Sequence, residues 1–256
     1  MNLTTTPTTS VAHGILWWLC LCIAPAVLVT IELFHPAGFT QTPGMWAYLS
    51  QPEPYAPEHQ ALAYFGPTWW FTLHMIQTPL VGLVCVGLWL MMKGINVTEH
   101  VPAGVCAWLA RIATFVTIIY FTALDAIGGF GLGRAILVTQ ELVAAGKLSQ
   151  EQLSGVVTML NALWVDPWVG GVGSFTSQTA SWAVFCAALF AACALFLARR
   201  APVVPLVILV AIFGWQLQLT HAALHGPIAF LGLIVSAVWL WFRGGTTVGK
   251  TSLRWA

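Results

Sequence analysis

Residues 14–34 read GILWWLCLCIAPAVLVTIELF. Glu32 is the one charged side chain in this run, and it stands at the far end. A helix needs roughly 20 apolar residues to cross a hydrocarbon layer about 30 Å thick. This run meets that length. The preceding MNLTTTPTTSVAH carries no Lys or Arg, and the run exceeds a secretory h-region. It therefore reads as a retained span rather than a signal peptide.

Five more runs follow from the same criterion, at about 69–92, 104–125, 177–198, 203–225 and 227–242. The last is short, but its end, VWLWFR, brings Trp239, Trp241 and Arg243 as an interface anchor. Of the 256 residues, 59% are hydrophobic and 7% charged, where a soluble domain has about 25% charged. No soluble core can bury that much apolar surface. Alternating hydrophobicity is absent, which excludes an outer-membrane barrel. The expected fold is a six-helix transmembrane bundle, one domain over residues 1–256, in a bacterial cytoplasmic membrane. Lipid is its immediate partner. A net charge of +1 gives no basis for binding nucleic acid.

Lys and Arg set the expected orientation. Six (Lys93, Arg199, Arg200, Arg243, Lys250, Arg254) fall on one side, against two (Arg134, Lys147) on the other. The positive-inside rule then places both termini in the cytoplasm. Residues 35–68 and 126–176 face outward. The first contains six prolines and reads as irregular, with Glu53, Glu58 and His59 as solvated loop residues. The second follows GGFGLG with helix near 134–145 and a further helix from Ser149, where Gln152 stands as in a capping box. That helix either lies on the membrane or covers the bundle. Ala183, Ala187 and Ala191 form a small-residue packing face. The six cysteines sit in apolar runs and read as small buried hydrophobes.

The polar residues within the spans carry the chemistry. Gly226-Pro227 is expected to end the fifth span near His225. His221 and His225 would then lie one turn apart on one helix face, a spacing that can put two ring nitrogens on one metal ion. His74 lies in the second span, Asp125 at the end of the third, and Glu32 in the last turn of the first. All are expected at the outer end. His35 precedes Pro36 and so leaves the helix, which makes Glu32-x-x-His35 only superficially a di-metal motif. Gln77, one turn below His74, is placed to orient that imidazole or another helix, and Tyr120 reads as an interfacial anchor. Arg111 either snorkels to the inner interface or meets an anionic headgroup.

An ionisable group costs about 2.5–3.5 kcal/mol at the centre of a span, and less near its edge. Five such groups at one depth fit a shared site or five separate interfacial residues. The shared-site reading is a metal-dependent membrane enzyme, with His74, His221 and His225 on a zinc-like ion that keeps a fourth position for water. Asp125 orients or deprotonates that water, and Glu32 supports the centre or adds a ligand. The pattern is similar to that of intramembrane alkaline ceramidase-like hydrolases. These also combine a histidine on an early helix, an aspartate, and a His-x-x-x-His pair on a late helix. The similarity is one of chemistry at those positions, and it implies an amphiphilic substrate. Their serine before the first histidine is replaced here by Trp70, one turn ahead of His74. Two alternatives stay open: a haem b electron carrier with His74 and His221 or His225 as axial ligands, and a transporter or structural membrane protein. No Walker loop, nucleotide fingerprint, Gly-x-Ser-x-Gly or His-Glu-x-x-His motif occurs.

Overall fold

The computed structural model describes residues 11–36, 44–50, 66–222 and 224–251, with side chains to residue 243. Most of the proline-rich loop, with Glu53, Glu58 and His59, lies outside the described residues. So do the side chains of Lys250 and Arg254.

The described chain is helical. Its elements are α1 Val11–Glu32, α2 Met45–Leu49, α3 Pro67–Met91, α4 Val101–Leu124, α5 Phe130–Ala144, α6 Gln150–Trp164, α7 Phe175–Leu197, α8 Val203–Leu219 and α9 His225–Thr251. Five stretches among the described residues are long and apolar enough to cross a membrane: α1, α3, the continuous α4–α5 stretch, α7 and His225–Arg243 of α9. The protein is an integral membrane protein of the helical class.

The fifth expected span needs correction. It ends at Leu219 rather than near His225, because Thr220 is fully extended (φ −172°, ψ 155°). The Thr220 hydroxyl accepts from the Ala222 amide at 3.2 Å, a local turn that competes with helix. Pro227 does not delay the next helix, which starts at His225. In the first turn a missing N–H goes unnoticed. At 17 residues, α8 is roughly 26 Å long, short of the ~30 Å hydrocarbon thickness.

Proline shapes α1 as well. Pro25 cannot donate to the carbonyl one turn back and crowds it. The helix absorbs this with a π-helical turn at Leu19–Ile23, just ahead of the proline. A second π-helical turn, Asp125–Gly129, links α4 to α5.

The central core joins α1, α3, α4, α7, α8 and α9. On α4, Ala103, Ala107 and Ala110 are fully buried, and on α7 so are Ala187, Ala188, Ala191 and Ala194. Small side chains let two backbones approach closely where lipid supplies no hydrophobic drive between helices. Ala183 itself is only half-buried, so the packing face of α7 centres on Val184, Ala187 and Ala191. All six cysteines are free and buried or half-buried.

A smaller core caps one end of the bundle. Met45, Leu49, Trp70, Leu132, Ile136, Leu160 and Trp164 pack together there. Thus α6 covers the bundle, started by a complete Ser149–Gln152 capping box. At the opposite end Arg200 donates to the carbonyls of Lys93 and Gly94 at 2.6 and 2.7 Å, tying the α7–α8 loop to the α3–α4 loop. Arg111 reaches toward this basic end, donating to the Met92 carbonyl at 3.3 Å.

Candidate metal centre

Three histidines meet beneath the smaller core. His35 follows the end of α1. Pro36 disfavours helix at His35, and the chain turns so that the imidazole folds back over the bundle, 4% exposed. His74 projects from α3 one turn after Trp70, 3% exposed. His221 comes from the break after α8, its ring 5.6 Å from Phe121. The ring centroid of His35 is 5.2 Å from that of His74 and 5.0 Å from that of His221. One ring nitrogen from each lies within 4.8 Å of the others.

The hydrogen bonds fix which nitrogen is available. Nδ1 of His35 lies 2.6 Å from the Pro36 carbonyl, and Nδ1 of His74 lies 2.7 Å from the Trp70 carbonyl. A carbonyl only accepts, so each Nδ1 carries the proton and each Nε2 keeps its lone pair. This is the outer-shell arrangement that orients metal-bound imidazoles. The Nε2 atoms of His35 and His221 are buried with no hydrogen-bond partner among the described residues. Both residues lie beyond their helix ends. Burial, with His221 and His74 close by, holds the His35 imidazole well below its usual pKa despite the Pro36 contact. Burial pushes His221 down to about 4. Both rings are therefore neutral near pH 7, the form that binds a metal.

Aromatic and glycine residues hold this geometry. Trp70 packs 4.5 Å from His74 and 5.3 Å from His35, and its indole N–H donates to the Gly128 carbonyl at 2.9 Å. Gly129 lies flat against His74. A Cβ there would stand 2.5 Å from His74 Cδ2 and 2.6 Å from Cγ. The glycine-rich stretch after Asp125 is thus a cradle for the indole and the imidazole.

The histidines open onto a cavity of about 610 Å³, also lined by Asp125, Trp164, Asp166, Ser174 and Thr220. Asp125 is 1% exposed. Its Oδ2 lies 2.7 Å from the Thr78 hydroxyl, which also lies 2.8 Å from the His74 carbonyl and shares its proton between the two. Oδ1 has no partner among the described residues. Glu32 is fully buried within electrostatic reach of Asp125, its carboxyl oxygens likewise unpartnered, but it does not line the cavity. Gln77 is fully buried, and neither of its amide atoms has a partner among the described residues, His74 included.

Of the five residues singled out from sequence, His74, His221 and Asp125 share this cavity. Glu32 lies close by. His225 does not join them: its Nδ1 is 2.6 Å from Gln216 Oε1, across the break between α8 and α9. Its place in the triad is taken by His35, which sequence reasoning set aside. The usable signal was the ring's freedom to turn back once Pro36 had ended the helix.

Tetrahedral zinc holds nitrogens at about 2.0–2.1 Å, which puts them roughly 3.4 Å from one another. With their nitrogens within 4.8 Å of one another, the three imidazoles would have to close in on a common point to reach that spacing. The donor set, three imidazoles in the wall of a cavity, fits a divalent ion that would keep a coordination position for a further ligand. No protein-family model, curated protein or solved structure matches this chain.

Proposed function

We propose that the protein is a metal-dependent membrane hydrolase, with a zinc-like divalent ion held by His35, His74 and His221. The observation that carries this reading is the convergence of three histidine nitrogens within 4.8 Å at the floor of one cavity. Two of the rings are turned into place by backbone carbonyls. When bound, such an ion polarises a substrate oxygen and acidifies water. Three protein ligands and a cavity are the pattern of a catalytic site, whereas structural zinc sites close with four.

Asp125 serves as the proton acceptor. The Thr78 hydroxyl fixes one of its oxygens, Oδ1 has no partner among the described residues, and the residue lines the cavity. In hydrolysis the water oxygen bonds to the electrophilic carbon or phosphorus as the bond to the leaving group breaks. The proton lost by water passes to Asp125 and then to the leaving group. Glu32, within electrostatic reach of Asp125, offers a second carboxyl for that proton. The substrate is an amphiphile, since the site lies at one end of a membrane bundle. The basic end carrying Lys93 and Arg200 is read as cytoplasmic and the cavity as outward, in a bacterial cytoplasmic membrane.

A haem reading requires two imidazoles opposed across a flat macrocycle. Here Trp70 fills the space beside two of the three imidazoles, its ring 4.5 Å from that of His74 and 5.3 Å from that of His35. Purified protein is expected to bind one zinc and to show no Soret band. Asp125→Asn should keep the zinc and lose roughly 10²–10⁴-fold in the rate of lipid hydrolysis, the usual contribution of a positioned acid–base group. A wild-type rate in that variant contradicts its assigned role. A Soret band in place of zinc contradicts the metal reading.

A further inference from the structure

A narrower crevice leaves the histidine cavity toward the middle of the bundle. The two share Leu124, Val172, Thr220 and His221 in their walls. The crevice runs between α3, α4, α7, α8 and α9 and reaches Val84, Cys85, Phe213 and Phe230, all buried. Val84 and Cys85 follow His74 on α3 by nearly three turns, which places them roughly 15 Å further along the axis.

Its deep part is lined by Val81, Val84, Cys85, Val184, Phe213 and Phe230, while Ser177, Gln178, Gln218, Thr220 and His221 belong to the end nearer the histidines. The Ser181 and Thr117 hydroxyls are turned to carbonyls of their own helices, Ser177 and Ala113. At about 50 Å³ the slot is small beside the 610 Å³ of the histidine cavity. It is also open to the side. Gln178 on α7 and Leu219 at the end of α8 belong to its walls and are exposed.

A narrow slot whose deep walls are Val81, Val84, Cys85, Val184, Phe213 and Phe230 suits an unbranched alkyl chain. A peptide in it would leave backbone N–H and C=O groups without partners. An ion or a water-soluble molecule would find few polar atoms in its deep part, beside Val84, Cys85, Phe213 and Phe230. We propose that this crevice holds the alkyl chain of an acyl lipid that enters sideways between α7 and α8, with its polar head in the histidine cavity. The chain widens the slot by rotating Phe121 and Leu217, two half-buried apolar side chains in its wall. That the lipid is a substrate rests on the metal-enzyme reading; that it binds here does not.

The test uses the full chain in detergent micelles and a fatty acid carrying a diazirine at its chain end. Photolabelled residues are mapped by mass spectrometry. Label is expected on Val81, Val84, Cys85, Val184 and Phe213. Val184→Trp fills the slot, and Gln178→Trp obstructs its exposed rim without touching the core. Each should raise the half-saturating probe concentration roughly tenfold, as expected when a few methylenes lose their burial. Zinc content should not change in either variant. Label confined to outward-facing residues such as Val207 and Trp215, or wild-type labelling in both variants, overturns the proposal. If zinc is absent yet the label follows the crevice, the metal reading fails and the lipid site stands. If zinc is bound and the label ignores the crevice, only the lipid site fails.

Discussion

His74→Ala is expected to lose stoichiometric zinc, while His225→Ala retains it. Removing a residue that merely orients a ligand typically costs 10–100-fold in metal affinity, and removing a ligand should cost more. His35→Ala and His221→Ala should behave as His74→Ala does, since each supplies one of three converging nitrogens. His225 meets Gln216 across the α8–α9 break, outside the cavity. Its loss should loosen the segment that carries His221 and lower affinity only by the smaller, orienting amount. Zinc titration of the four variants measures the contrast. Equal effects at 74 and 225 would contradict the proposed ligand set and favour the i, i+4 pair expected from spacing alone.

A single methyl group at position 129 should be nearly as damaging. Gly129→Ala places a Cβ at 2.5 Å from His74 Cδ2 and 2.8 Å from His74 Cβ. The imidazole cannot retreat freely, because Trp70 packs against it. Overpacking of this kind typically costs about 1–3 kcal/mol, and here it acts on a ligand. Zinc affinity should fall roughly 10–100-fold, like the loss of an outer-shell partner. Gly82 lies on the same helix as His74, and a Cβ added there meets nothing within 4 Å. Gly82→Ala is therefore the control, and it should leave zinc binding unchanged. Unchanged affinity in Gly129→Ala would mean that His74 is not held as described.

The helical membrane class was legible in the composition, because few charges and long apolar runs admit no soluble alternative. The capping box at Ser149 and Gln152 was also legible, since both partners lie within one turn. Long-range placement was not. His35 leaves its helix as Pro36 requires, but the direction in which the freed ring then turns depends on Trp70 and on two other chain segments. The α8 break was misplaced for a local reason. Gly226-Pro227 is the stronger breaker by residue type, yet proline is tolerated in the first turn of a helix. The weaker signal, the Thr220 side-chain turn, decided the boundary. That shift separates His221 from His225 and brings His221 to His35. Nothing in spacing marks Gly129 as the floor beneath His74.

The account stands on three imidazoles sharing one ion at the end of the bundle. Zinc-edge X-ray absorption of the purified, zinc-loaded protein reads that shell directly. Three imidazole nitrogens at about 2.0–2.1 Å are expected, a shell that His225→Ala leaves unchanged. A first shell containing sulfur, or one with a single imidazole completed by water, would contradict it.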